Sequence, residues 1–445
     1  MFKKILSIFV LICMSVSLAA NAKSFTDVQS GSNIYEAVTY LSENGIINGY
    51  EDGSFKPDDL ITRAEAAAII VRAANLSETS AKTVYSDVPE NHWAKPYIMT
   101  ATENGIINGM GNGMFSPDDN VTYYQIIKMI VCMLGMEEEA IQKGGWPKGY
   151  AEVAQTVGFI DLTAYYGITN RNGSKAAGRG DVAKYIYNAV SYREKSTIYI
   201  NNKKFSLGMN ADSLATPDEI LESTANFNWY VYGTDSYKNF YAIGVDNAKV
   251  VAVATTGNTF SYLGYKCGDV INGDAIGNIY TDSNDNNRIH SIKLFNNNYN
   301  PVYSDKLSYT EKQFFGESKM NFHFTNAFRV MHNLKPLKWS EKAAESAKLH
   351  SQDMAQNDYF SHTNQSGISS SQRMTVQGIS WMRCGENIAG GGGRFLGFHS
   401  FDGWVNSAGH RTNMLGDFKN LGVGIAYSKN STYGFYHTQN FYTGR

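Results

Sequence analysis

The sequence predicts a multidomain chain: a mainly α-helical module of three repeats, a small β-rich middle domain, and a C-terminal domain of helices closed by a strand pair. Three observations predict it. Blocks of sequence recur at a fixed shift near the N-terminus, short alternating runs follow, and three polar strings then punctuate a helical C-terminal segment. The repeat is the strongest. Phe25-Thr26-Asp27-Val28 returns 60 positions later as Tyr85-Ser86-Asp87-Val88, Asn44-Gly45-Ile46-Ile47-Asn48-Gly49 as Asn104 to Gly109, and Phe55-Lys56-Pro57-Asp58-Asp59 as Phe115-Ser116-Pro117-Asp118-Asp119. Repeats of this length build modular arrays in which neighbours share a core.

Lys3-Lys4, an apolar run from Ile5 to Leu18 and Ala20-Asn21-Ala22 have the form of a secretory signal peptide over residues 1–22. The run is too short for a membrane span, and no later segment is apolar enough, so the mature chain is expected outside the membrane. The cysteines after Ala22 are Cys132, Cys267 and Cys384, too few for a disulfide framework and expected as buried thiols. A net charge of −2 provides no basic field for nucleic acid.

Each repeat reads as helix, turn, helix. In the first, Ile34, Ala37, Val38 and Leu41 share one helical face, Asp52-Gly53-Ser54 turns the chain, and Thr62 with Glu65 forms a capping box that opens the second helix. Thr122 with Gln125 repeats the device. A degenerate third copy runs from Trp146 to Gly178-Arg179-Gly180-Asp181, giving boundaries at 23–77, 83–140 and 141–195. Over about residues 25–190 these strings resemble the S-layer homology (SLH) family. The resemblance implies three repeats packed as one unit that binds secondary cell-wall polymer, often pyruvylated, in grooves between repeats. It places the protein at the cell wall or S-layer surface. Arg63, in the first turn of a capped helix, is suited to a ketal-pyruvate carboxylate, and Trp93 to a sugar face. Outside that signature, a solvated Arg63 and a core Trp93 would be the plainer readings. Arg179 keeps the position in the third repeat, whereas Tyr123 replaces it in the second, so two competent grooves at most are expected.

Residues 196–300 read as strands. Thr197 to Ile200 meets Lys204 to Leu207 across Asn201-Asn202, and Phe227–Tyr232, Phe240–Val245 and Lys249–Ala254 form a meander. Asp282 to Asn286 suggests a calcium loop but lacks the Gly and Glu such a loop needs, so it reads as a hairpin turn. This segment resembles the small domain that often precedes a CAP domain in Gram-positive bacteria.

After a polar linker at 296–312 come helices at about Lys319–His332 and Ser340–Asn357. Next are Phe360-Ser361-His362, Gly385-Glu386-Asn387 and Gly409-His410-Arg411, and a closing strand pair at 422–426 and 434–441. In that order the strings resemble the CAP superfamily (cysteine-rich secretory, SCP-like), here as a domain at 312–445. The resemblance implies an α-β-α sandwich with a central site of two histidines and two acids. His362, Glu386 and His410 match; Ser407 stands where the second acid is expected. Two imidazoles and a carboxylate suit Zn²⁺ with an open position, His362 and His410 being the ligands and Glu386 a ligand or a base; alternatively the three form a hydrogen-bonded polar cluster. Asn387 and Arg411 are expected to brace the site, and His399 and His437 to lie off it. Two functions follow from the resemblance: a wall-anchored surface protein whose CAP domain binds an unidentified ligand without turnover, or a wall-tethered metal-dependent hydrolase in which His362, Glu386 and His410 are the catalytic candidates.

Overall fold

The computed structural model describes residues 25–257, 260–271, 277–296, 309–392 and 395–445. The expected signal peptide and most of the expected linker lie outside the described residues. The chain divides into two compact units, one ending at Tyr192 and one beginning at Arg193.

In the first unit the opening repeat contributes α1 (Tyr35–Glu43) and α2 (Arg63–Ala73), and the second contributes α3 (Lys95–Glu103) and α4 (Tyr123–Met133). The third comprises α5 (Glu137–Gln142), α6 (Lys148–Val157), α7 (Leu162–Gly167) and α8 (Arg179–Lys195). Both capping boxes form, at Thr62–Glu65 and Thr122–Gln125. The repeats close on one another as a ring. The first-turn amides of α2, Arg63 and Ala64, donate to the Asp119 and Pro117 carbonyls of the second repeat. Those of α4, Tyr123 and Tyr124, donate to Lys175 and Gly173 of the third. Those of α8, Arg179 and Gly180, return to Asp59 and Pro57 of the first. Each helix N-terminus, which would otherwise leave donors orphaned, is completed by the next repeat's loop. The degenerate third copy is therefore a full member of the ring.

The second unit begins with strands β1 (Thr197–Ile200) and β2 (Lys203–Ser206), whose connecting Asn201 and Asn202 both adopt positive φ, as a two-residue hairpin requires. Then come β3 (Glu219–Glu222), β4 (Asn228–Tyr232), β5 (Tyr241–Asp246), β6 (Lys249–Thr256), β7 (Phe260–Tyr262), β8 (Tyr265–Lys266), β9 (Ile279–Asp282) and β10 (Arg288–Phe295). They form a four-stranded sheet, β2-β1-β7-β8, and a six-stranded one, β3-β4-β5-β6-β10-β9. Residues 283–287 make the β9–β10 hairpin turn, in agreement with the sequence reading.

The chain continues through α9 (Glu311–Met331), β11 (Lys338–Trp339), α10 (Glu341–Gln356), α11 (Ser370–Val376), β12 (Trp381–Gly390), α12 (Leu396–Val405), α13 (Ala408–Met414), β13 (Asn420–Tyr427) and β14 (Phe435–Gly444). The sheet order is β11-β13-β14-β12. Consecutive residues of β14 point to opposite faces: Thr438 meets Ser351 of α10, and Gln439 meets Asn321 and Thr325 of α9. This is the expected α-β-α sandwich.

Helix α9 starts eight residues before the expected position, behind a Thr310–Gln313 capping box, and is buried on nearly every side from Gly316 to Arg329. A helix buried all round needs cover on both flanks, and the six-stranded sheet supplies the second. Trp229, Val231 and Ala252 of that sheet share one core with Phe324 and Phe328 of α9, Phe398 and Phe401 of α12, and Val423 of β13. Gly316 permits the approach, since a Cβ there would sit 2.1 Å from the Glu222 carbonyl oxygen. At this joint the fully buried Glu317 carboxylate accepts from the Ser223 hydroxyl, the Thr224 amide and hydroxyl, and the Gly397 amide. The middle strands and the C-terminal domain thus share a core.

Candidate functional site

Loop and strand bring the C-terminal strings together. His362 follows α10 in the Phe360-Ser361-His362 loop, which is held from beneath by buried His350: its Nε2 lies 2.9 Å from the Ser361 carbonyl. Because a carbonyl only accepts, that nitrogen carries the hydrogen, and Nδ1 of His350 is left buried without a partner. Glu386 projects from β12, with its side chain 2% exposed. Its Oε1 lies 2.9 Å from His362 Nδ1 and its Oε2 2.6 Å from Arg373 Nη2. Asn440, with its amide nitrogen turned toward the carboxylate, donates to Oε2 at 3.0 Å. Arg373 also donates from Nη1 to the His362 and Ile368 carbonyls, fixing loop and carboxylate together.

His362 therefore carries its proton on Nδ1, facing Glu386, and its side chain, 55% exposed, presents Nε2 outward. His410 lies on the short helix α13, whose frame is set by Asn387: the Asn387 amide donates to the His410 carbonyl at 3.1 Å and to Gln439 Oε1 at 3.0 Å. Burial, and secondarily the charge of nearby His362, hold the His410 imidazole below its ordinary value. Ser407 is the N-cap of α13 and makes no side-chain cap bond.

The geometry revises the expected metal set. Both Glu386 oxygens are engaged, one by an imidazole and the other by a guanidinium, so Glu386 orients His362 and is neither a free ligand nor a free base. Among the described residues no three His, Cys, Asp or Glu side chains gather as metal donors. The residues present fit a polar cluster and do not fit a zinc site of three or four protein ligands. Zinc is accordingly expected to leave the thermal transition of the chain unmoved. A rise of several degrees that disappears in His410→Ala would restore the metal.

Of the flanking expectations, Asn387 braces the site as anticipated, and Arg411 ties it to Asp282 of β9. His399 is exposed on α12, whereas His437 is wholly buried in β14. Cys132, Cys267 and Cys384 are free and half-buried; burial pushes the first two thiols up to about 12. Sequence reasoning missed Arg373 and His350. Arg373 stands in a Ser-Gln-Arg stretch without a motif, and His350 reads as one more polar position on an amphipathic helix.

In the repeat module, Arg63 is 3% exposed. Its Nε donates to the Phe115 carbonyl at 2.9 Å and its Nη2 to the Asn108 carbonyl at 3.2 Å, with the guanidinium over the Phe115 ring. Arg179 does the same with Phe55 and Asn48 of the first repeat. These arginines are chiefly braces across the joints, and the first-turn amides beside them already hold carbonyls. At the joint with the third repeat, which lacks the Phe-x-Pro block, Tyr123 stands in place of arginine and donates to Asp181. Trp93 is 55% exposed, stacked on His92 and beside Tyr97, whose hydroxyl accepts from Arg72 at 3.0 Å. Tyr50, partly exposed, lies between the Lys56 ammonium at 4.1 Å and the Arg179 guanidinium at 5.2 Å. Its counterpart in the second repeat is Met110.

Residues 322–441 match the model of the cysteine-rich secretory protein family, CAP, and residues 24–67 and 84–126 match the S-layer homology domain. The chain is 29% identical over 294 residues to the uncharacterized membrane protein YlbC of Bacillus subtilis (strain 168), a match covering 53% of this chain and 82% of that one. It is 32% identical over 176 residues to a cell surface protein of Thermoanaerobacter kivui, covering 38% of this chain but only 22% of that protein. A solved extracellular protein containing a SCP domain from Bacillus anthracis is 24% identical and covers 53% of this chain and 93% of its own, with a TM-score of 0.45. Among the described residues no helix is long and apolar enough to cross a membrane. With its folded repeats and its His–Glu–Arg cluster, this chain carries S-layer homology domains at the N-terminus and a CAP domain at the C-terminus.

Proposed function

We propose that the repeat ring holds the chain on an anionic secondary cell-wall polymer and that the CAP domain binds a ligand at the His362–Glu386–His410 cluster without turning it over. The observation that carries the anchoring is the pairing of exposed aromatic faces with fixed cations at the repeat joints: Tyr50 with Lys56 and Arg179, and Trp93 with Tyr97 and Arg72. An exposed ring such as Trp93 takes the apolar side of a sugar, and a cation beside such rings, such as the partly exposed Lys56 ammonium, takes a carboxylate. At the CAP cluster, Glu386 is committed to His362 and Arg373, which favours recognition through the outward His362 nitrogen over hydrolysis.

The chain is expected to pellet with polymer-bearing cell walls and to stay in solution with walls stripped of the polymer. Tyr50→Ala and Trp93→Ala should each weaken pelleting about tenfold, equivalent to about 1.4 kcal/mol. Met110→Ala should change it little. Equal retention on stripped walls would refute the anchoring.

A further inference from the structure

The β9–β10 hairpin of the middle sheet reaches the corner between α12 and α13, the part of the CAP domain that carries His410. We infer that Asp282 is a positioning residue for His410, acting through Arg411, and that this is a task of the middle segment. The inference rests on reading the His362–Glu386–His410 cluster as a site.

The geometry is specific. Asp282 is 1% exposed, and its Oδ2 accepts from both Arg411 Nε and Arg411 Nη2 at 2.8 Å. Its Oδ1 accepts from the Asn284 amide at 2.9 Å, which fixes the turn. From the same turn, the Ser283 amide donates to Asn406 Oδ1 at 2.9 Å and the Asn284 side chain to the Val405 carbonyl at 3.1 Å. These contacts grip the residues immediately before α13 and one residue within it.

Helix α13 needs that grip. It has seven residues and no side-chain cap, and a helix of this length has little stability of its own. On the CAP side it is held by Asn387 at the His410 carbonyl and by Asn413, whose amide donates to the Glu386 carbonyl at 3.1 Å. Those bonds fix one flank; the hairpin fixes the other. His410 and Arg411 are adjacent, so a shift of Arg411 moves the imidazole relative to His362. The charged and titratable groups around the clamp include Asp285, His290 and His332, and His362 is the one that acts on His410. Among the described residues neither Asp282 nor Arg411 hydrogen-bonds to His362, Glu386 or the His410 side chain, so both act through backbone placement.

The test follows the histidine resonances of the full chain by NMR through a pH titration, in wild type and in Asp282→Asn. The substitution keeps the side chain's shape and the Asn284 contact but removes the carboxylate charge from Arg411. Loosening α13 should expose His410 to water, so its midpoint should rise toward the ordinary imidazole value of about 6.5. A His410 curve that coincides with wild type would overturn the inference, even if the variant melts at a lower temperature. Should Asp282→Asn fail to fold, Asn406→Ala removes the Ser283 contact at the surface and is read the same way. No ligand enters the measurement, so a failure of the ligand-binding reading would leave this result standing, and the reverse also holds.

Discussion

Arg63→Ala is expected to lower the stability of the repeat ring by about 4 kcal/mol, a larger effect than removal of the Tyr123 hydroxyl at the equivalent position. The buried guanidinium makes two hydrogen bonds to carbonyls of the second repeat and covers the Phe115 ring. Hydrogen bonds from a charged donor contribute about 1.5–3 kcal/mol each, and truncation leaves the buried Phe115 carbonyl without its donor. Arg179→Ala should behave alike, because Arg179 closes the ring on the first repeat. Arg63→Lys should recover only part of the loss, since an ammonium cannot fork between two carbonyls. Tyr123→Phe removes one bond at the rim and should cost about 1 kcal/mol or less. In calorimetry of the full chain, the transition of the residues before 193 should fall by roughly 10 °C for Arg63→Ala. A variant that melts like wild type yet no longer binds walls would return Arg63 to the ligand-facing role suggested by its sequence position.

That contrast shows where local reading stops. The repeat register, both capping boxes and the Asn201-Asn202 hairpin were legible because their physics lies within a few residues. The role of Arg63 was not, since local chemistry shows only a cation at a helix start. Its partners are carbonyls more than forty positions away, and only ring closure supplies them. The Tyr123 exchange, which reads as a lost anion grip, falls at the joint with the third repeat, which lacks the Phe-x-Pro block. In the C-terminal domain, the strings identified His362, Glu386 and His410 but not the direction of the Glu386 oxygens. That direction depends on Arg373, which a sequence without a motif does not flag, and it turns a presumed metal ligand into an orienting group. The shared core of the middle sheet and α9 was hidden for a similar reason. Polar positions such as Glu317, Asn321 and Asn326 break the apolar pattern of α9, yet all are fully buried and hydrogen-bonded.

Acid should weaken the unit beginning at Arg193 well above the pH at which its surface carboxylates protonate. Burial holds His323 and His350 below the ordinary imidazole value, and it takes His437, wholly enclosed in β14, down to about 3. His437 keeps one nitrogen on the Gly391 carbonyl at 3.1 Å, while Nδ1 has no partner to receive a proton's charge. The sign follows from proton counting. Below about pH 6.5 the unfolded chain protonates this imidazole and the native chain does not, so stability falls as pH drops from there toward about 3. At about 1.4 kcal/mol per unit, His437 alone accounts for roughly 5 kcal/mol over the full window. Glu317 acts in the opposite sense: burial raises its pKa, so the native carboxylate takes up a proton before the unfolded one and softens the loss above the unfolded carboxyl's value of about 4.3, with no further contribution below it. Urea unfolding, read by hydrogen exchange of the β13–β14 peptides at neutral and mildly acid pH, should therefore show a midpoint that drops with acidification in wild type. His437→Gln keeps an N–H for Gly391 but cannot be protonated, and it should flatten that dependence by close to one proton's worth of slope. An unchanged slope in His437→Gln would mean that water reaches the β14 interior and that the histidine is not sealed.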